Sequence, residues 1–118
     1  GHSLGGAMVA AWASEHPEAV AGLVLLAAYP PDGDDLTAAG FPALVLQAEH
    51  DLVADADAVR GGLDRLPAGS DLVVVEGAVH SFFGRYGPQA GDGIPTVSRA
   101  EAEASIVAAL TDFLGRVA

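Results

Sequence analysis

Three short runs of aliphatic residues constrain the fold of this chain more than any other feature. They cover residues 22–28, 43–48 and 71–76, with the sequences GLVLLAA, ALVLQA and DLVVVE. Each run is nearly continuous instead of alternating with polar residues, a pattern typical of strands buried on both faces of a parallel sheet. We therefore predict three buried, parallel strands.

Helical patterns lie before, between and after these runs. Residues 4–15 are rich in Ala, and residues 55–66 carry apolar side chains at helical spacing and end before Pro67. Ser98 opens the sequence SRAE, a capping box that begins a helix running to about Val117. This alternation predicts an α/β fold with a parallel sheet and right-handed crossovers.

The first helix has no strand before it, and three strands form a small sheet. We therefore expect residues 1–118 to be one partial domain, the C-terminal part of a longer α/β domain whose N-terminal strands are missing. As an isolated polypeptide it is expected to be poorly stable, because its sheet would have exposed edges.

The composition disfavours several kinds of partner and site. The net charge is −11, and the chain has no Lys, so neither nucleic acid nor an anionic membrane surface is an expected partner. No Cys is present, which excludes disulfides and a thiol nucleophile. No apolar run approaches the ~20 residues of a membrane-spanning helix. Compartment and oligomeric state stay open.

The first five residues, Gly-His-Ser-Leu-Gly, match G-x-S-x-G, a tight turn that carries a nucleophilic serine between a strand and a helix. Gly1 and Gly5 are expected to relieve the crowding around Ser3. The following helix directs backbone N–H groups towards developing negative charge, so the N–H of Leu4 is the expected oxyanion-hole donor. The alternative is a Gly-rich turn in which Ser3 is only the N-cap of the helix.

A serine nucleophile needs a general base, and the base needs an acid that fixes its tautomer. Asp51 follows the second aliphatic run, and His80 follows the third. Because catalytic groups in open α/β sheets collect at the carboxyl ends of the strands, both side chains are expected at the same edge as Ser3. We predict a triad of Ser3, His80 and Asp51.

The other acidic and histidine residues are weaker candidates. Asp55 and Asp57 lie where a helix begins, a position that acidic residues favour as caps. His50 is interpreted as a rim or structural residue, His16 as the end of a helix, and His2 is expected to point away from the nucleophile. No histidine pair has metal-ligand spacing, and without Lys no phosphate loop of the P-loop type is present, so no metal or cofactor is predicted.

The segments GHSLGG, AEHDLVADAD and EGAVHSFFGRYGPQAGDG together resemble the C-terminal half of an α/β-hydrolase-fold protein, over essentially the whole chain. Residues 80–93 are similar to a segment, H-x-x-F-G-x-Y-G-P-Q-x-G-D-G, found in a small bacterial group of that family. The resemblance implies Ser3 as nucleophile, Asp51 as acid and His80 as base. It also implies a serine hydrolase that cleaves carboxylic esters or related acyl compounds, with a small or absent lid at residues 29–42.

Two other functions stay open at this point. The chain lacks the early loop that supplies the second oxyanion donor in the family, which suits a non-catalytic fragment or binding module. An acyltransferase or thioesterase would use the same triad with a different acceptor or substrate. Phe82 and Phe83 are expected to pack the loop after His80 against the final helix, whereas Tyr86 is left without a predicted role.

Overall fold

The three aliphatic runs form the strands of one parallel sheet. A computed structural model describes residues 1–117. Its helices and strands, in chain order, are α1 (Leu4–Glu15), β1 (Leu23–Leu26), β2 (Ala43–Ala48), α2 (Ala56–Gly61), β3 (Asp71–Val75) and α3 (Arg99–Val117). Short 3₁₀ turns lie at Pro17–Ala19, Gly62–Arg65 and His80–Phe83. None of the helices in residues 1–117 is both long and apolar enough to cross a membrane.

The strands lie in the order β1-β2-β3, and both pairings are parallel. Leu23 lies opposite Ala43 at one end of the sheet, and Ala48 lies opposite Val75 at the other. The predicted fold class, three parallel strands with flanking helices, is confirmed. Because β2 and β3 end at the same level, the loops that follow them start side by side.

Helices cover both faces of the sheet. One face packs against α1 and α2, with a core that includes Ala10, Ala13, Leu25, Val45 and Val59. The other face packs against α3, with a core that includes Leu44, Leu46, Ile106 and Phe113. Alternate residues of β2 therefore enter opposite cores, as the pleat of a strand requires.

Burial differs between the three strands. All six residues of β2 are buried, as the continuous aliphatic run predicts. In β3 only Val75 is buried, so the prediction of a strand buried on both faces is wrong there. The reason is that β3 pairs with β2 alone and forms an edge of the sheet, which leaves Val73 and Val74 more than a third exposed.

The helix boundaries follow local signals in the sequence. The carboxylate of Asp55 accepts the N–H of Asp57 at 3.0 Å and caps α2. At the start of α3, Ser98 Oγ accepts the N–H of Glu101 at 3.1 Å and donates to its carboxylate at 3.2 Å. The predicted helix over 55–66 is split into α2 and a 3₁₀ turn, because Gly61 and Gly62 are weak helix formers.

The turn at Ser3 is crowded at Gly1, as the motif predicts, but not at Gly5. A Cβ on Gly1 would lie 2.6 Å from the carbonyl oxygen of Gly5, whereas a Cβ on Gly5 would contact nothing within 4 Å. The second crowded position is Gly6, where a Cβ would overlap the Cβ of Ala28 and approach the carbonyl oxygen of Gly1 to 2.9 Å. Gly6 therefore permits the close packing of α1 on the segment after β1.

Alanine substitutions at these adjacent helical glycines should have opposite effects on stability. Gly6→Ala is expected to lower the free energy of unfolding by about 1–3 kcal/mol, because the new methyl group overlaps Ala28. Gly5→Ala is the matched control, and is expected to raise it by about 0.5–1 kcal/mol through helix propensity. Urea unfolding of the full-length protein measures both. Equal effects would contradict this description of the turn.

Candidate active site

Ser3 lies between an extended segment and α1 in an unfavourable backbone conformation. His2 forms a parallel bridge with Leu26, the Ser3 N–H donates to the carbonyl of Leu26 at 2.9 Å, and α1 begins at Leu4. Ser3 has φ 54° and ψ −126°, a positive φ that residues other than Gly rarely adopt. Strained backbone of this kind concentrates at functional sites, since the surrounding structure must hold it in place.

The side chain of Ser3 does not cap α1. Ser3 occupies the N-cap position, but among the described residues its side chain makes no capping hydrogen bond to the helix. Leu4 is the first residue of α1, and its N–H therefore has no acceptor within the helix. A strained serine with an unused hydroxyl thus lies beside an unused backbone donor.

Asp51 and His80 form a buried hydrogen-bonded pair. Nδ1 of His80 lies 2.7 Å from Oδ2 of Asp51, and the two side chains are only 1% and 2% exposed. The other oxygen of Asp51 accepts the N–H groups of Val53 and Ala54, both at 2.8 Å. These bonds fix the carboxylate just after β2. A carboxylate at Nδ1 favours the tautomer with the proton on Nδ1, which leaves Nε2 free to accept a proton.

Nε2 of His80 is buried and has no hydrogen-bond partner within residues 1–117. The structure therefore joins two members of the predicted triad directly and places Ser3 at the same edge of the sheet, without a hydrogen bond from Ser3 to His80. Catalytic hydrogen bonds are often long before substrate binds. A buried polar atom without a partner costs about 1–3 kcal/mol, so its retention calls for an explanation.

His2 packs against His80, contrary to the expectation that it points away from the site. The two ring centroids are 4.6 Å apart, and Phe83 and Tyr86 lie beyond, at 5.8 and 6.0 Å from the His2 ring. Burial is the main cause that lowers the pKa of His2, and repulsion by His80 adds to it. His2 is therefore a neutral neighbour of the candidate base at pH 7.

Asp92 holds the backbone of the turn that carries His80. Its carboxylate accepts the N–H of His80 at 3.1 Å and the N–H of Ser81 at 2.9 Å. Burial acts to raise the pKa of Asp92, but hydrogen bonds from Ser81, Gly93 and His80 outweigh it and lower the pKa overall. Sequence reasoning did not single out Asp92; the signal was its place between two glycines in the segment GDG.

Arg99, at the start of α3, holds the other side of the same turn. Its guanidinium donates to the carbonyl oxygens of Gly84 and Ser81 at 2.7 and 3.3 Å, and lies 4.9 Å from the centre of the Phe82 ring. Phe82 and Phe83 are partly buried against the core formed with α3, as predicted.

Tyr86 is half exposed, and its hydroxyl donates to Gln89 at 2.6 Å. Since it also lies near His2, it belongs to the outer wall of the site.

An apolar pocket of about 400 Å³ adjoins Ser3. It lies between α1, the segment after β1 and the loop that contains Asp51, and is lined by Ser3, Leu4, Ala7, Ala27, Ala28, Tyr29, Pro31, Val53 and Ala54. None of these nine side chains carries a charge at pH 7. The pocket therefore suits an uncharged, mainly apolar group next to the Ser3 hydroxyl.

The remaining candidates take structural positions. His50 contacts Glu49 at 2.9 Å and Thr96 at 3.4 Å, and the ring of His16 packs against Trp12 with centroids 4.5 Å apart. Within the described part of the chain, no three His, Asp or Glu side chains are grouped so that they could hold a metal ion.

The lowered pKa of His2 predicts a pH-dependent contribution to stability. Folding favours neutral His2, so its contribution is complete above the ordinary pKa of 6.5 and decreases as the pH falls below that value. NMR titration of the full-length protein should give a midpoint for His2 below 6.5. A His2→Gln variant should lose this part of the pH dependence of unfolding. A midpoint at or above the ordinary value would contradict the prediction.

Comparison with known proteins agrees with the geometry. Residues 1–104 match the model of the alpha/beta hydrolase family, a segment that includes Ser3, Asp51 and His80. Neither the curated proteins nor the solved structures gave a match to this chain. The match spans most of the chain, and the parallel sheet with helices on both faces is consistent with it. The chain therefore belongs to the alpha/beta hydrolase family.

Proposed function

We propose that this protein is a serine hydrolase that cleaves carboxylic esters or related acyl compounds with Ser3, His80 and Asp51 as its triad. One observation carries the proposal: a buried Asp51–His80 pair, bonded at 2.7 Å with the second ring nitrogen unpaired, lies at the sheet edge where Ser3 adopts a positive φ. Membership in the family supports a hydrolase, and the geometry supports this particular chemistry.

The proposed reaction has two halves. Nε2 of His80 takes the proton from Ser3 Oγ as that oxygen attacks the carbonyl carbon, and the N–H of Leu4 donates to the resulting oxyanion. His80 then returns the proton to the departing alcohol, which leaves an acyl group on Ser3. Water, deprotonated by His80, releases the acid and restores Ser3. Asp51 keeps the ring in its tautomer and stabilises the imidazolium in both halves.

The pocket beside Ser3 supports a neutral acyl substrate. Its lining is uncharged, and the net charge of −11 disfavours the approach of an anionic acyl group. Its volume of about 400 Å³ is within the range of small-molecule sites. We therefore assign the apolar part of the ester to this pocket.

Fluorophosphonate labelling with mass mapping tests the triad. The full-length protein should be modified at Ser3, and Ser3→Ala should abolish the label. Asp51→Asn should slow the reaction by roughly 10⁴-fold, because the wrong tautomer of His80 is then favoured. Ser14→Ala, on the same helix, is the control and should label normally. No label at Ser3 would reject the proposal and favour a binding module.

Substitutions along α1 test the assignment of the pocket. Ala7→Leu fills the pocket, and Ala11→Leu, one turn later on the same helix, does not line it. Ala7→Leu should reduce kcat/KM for p-nitrophenyl octanoate by roughly 10-fold or more, because one or two methylene groups of the acyl chain lose their buried contacts. The same substitution should reduce kcat/KM for p-nitrophenyl acetate much less. Ala11→Leu should leave the ratio of the two esters unchanged. An unchanged ratio in both variants would place the acyl chain elsewhere.

A further inference from the structure

We infer that Asp92 is a positioning residue for the base: its carboxylate fixes the backbone of the turn that carries His80, and thereby the place of the His80 ring. The inference rests on the proposed function, because it concerns the geometry of that triad. It gives a role to the GDG end of the segment 80–93, which the triad itself does not use.

Both oxygens of Asp92 are occupied by backbone donors. Oδ1 accepts the N–H of His80 at 3.1 Å and that of Gly93 at 2.8 Å, and Oδ2 accepts the N–H of Ser81 at 2.9 Å. Two of these donors belong to the turn at His80–Phe83, including the N–H of the candidate base itself. Hydrogen bonds to a charged acceptor are about twice as strong as neutral ones, so this carboxylate holds the N–H side of the turn firmly, while Arg99 holds its carbonyl side.

Asp92 and Asp51 hold His80 at two different points. Asp51 binds Nδ1 at 2.7 Å and sets the tautomer, whereas Asp92 binds the backbone N–H at 3.1 Å and sets the position of Cα. Without the bond from Asp92, the backbone N–H of His80 would lose its acceptor, and a shift of the turn would move Nε2 relative to Ser3. A displacement of about 1 Å from the reactive geometry can cost ~100-fold in rate.

The glycines on either side of Asp92 allow this arrangement. Gly91 has φ +83°, which a side chain would disfavour. At Gly93 a Cβ would overlap the carbonyl oxygen of His50, the residue immediately before Asp51. The loop that contains Asp92 therefore packs against the segment before Asp51. The same loop forms hydrogen bonds to the turn that carries His80.

The carboxylate of Asp92 is ionised at neutral pH. Burial opposes the charge on Asp92, but the three N–H donors lower its pKa below the usual value for Asp. The carboxylate therefore accepts all three hydrogen bonds at neutral pH.

Active-site titration separates positioning from a general loss of structure. Fluorophosphonate labelling of the full-length protein gives two quantities: the number of reactive sites at saturation and the rate constant of each site. Asp92→Asn keeps the size of the side chain but turns an N–H₂ group towards a backbone N–H. We expect the rate constant per site to fall by roughly 10- to 100-fold, while KM for a p-nitrophenyl ester changes little, because Asp92 does not line the pocket at Ser3.

A purely structural role would instead reduce the number of sites and leave the rate of each folded site unchanged. Asp55→Asn is the matched control, because Asp55 also accepts a backbone N–H, at 3.0 Å, and Asn is an equally good cap. If Asp92→Asn does not fold, Asp92→Glu retains the charged acceptor with a longer arm, and should show a smaller loss in the rate per site.

The outcomes distinguish this inference from the proposed function. A wild-type rate per site in Asp92→Asn, or a rate per site in Asp92→Glu as low as that expected for Asp92→Asn, overturns the positioning role alone. Absence of wild-type labelling at Ser3 overturns the triad and the positioning role together. A reduced rate per site with an unchanged number of sites and an unchanged Asp55→Asn control supports the inference.

Discussion

The buried hydrogen bond between Asp51 and His80 is the interaction on which the rest of the site depends. It forms because Ala48 and Val75 lie opposite each other at the ends of β2 and β3, so the loops that follow them meet at once. Neither partner is exposed to water, and removing either would leave a buried polar group without its partner, which is costly. The register of the sheet therefore determines where Asp51 and His80 meet.

The strain at Ser3 depends on the same sheet. Ser3 has a positive φ because the residue before it pairs with β1 and α1 begins directly after it. Gly6 has no Cβ, which lets α1 pack against Ala28. The strain is sustained by buried contacts on both sides of the turn, as is usual where strained backbone persists. The result is a serine whose backbone is fixed by the fold and whose side chain makes no capping bond to α1.

The sequence was sufficient to predict the order of the helices and strands and to bring Asp51 and His80 to the same edge of the sheet. Periodicity and capping signals are local, so α1 and β2 were predicted with their observed bounds, and Asp51 and His80 followed from their positions after aliphatic runs. Exposure of β3 was not predictable in this way, since it depends on which strand lies at the edge. The contacts of His2 and Asp92 were missed because they arise from irregular loops brought together only in the fold, where no periodic pattern exists.

A double-mutant cycle between Ser3 and His80 tests most directly whether these residues act as one unit. The kcat of the full-length protein would be measured for Ser3→Ala, His80→Ala and the double variant with one activated ester. We expect each single substitution to lower kcat by up to roughly 10⁶-fold, and the double variant to lose no more than either single one. Losses that multiply in the double variant would show independent contributions, and would contradict a triad built on the Asp51–His80 pair.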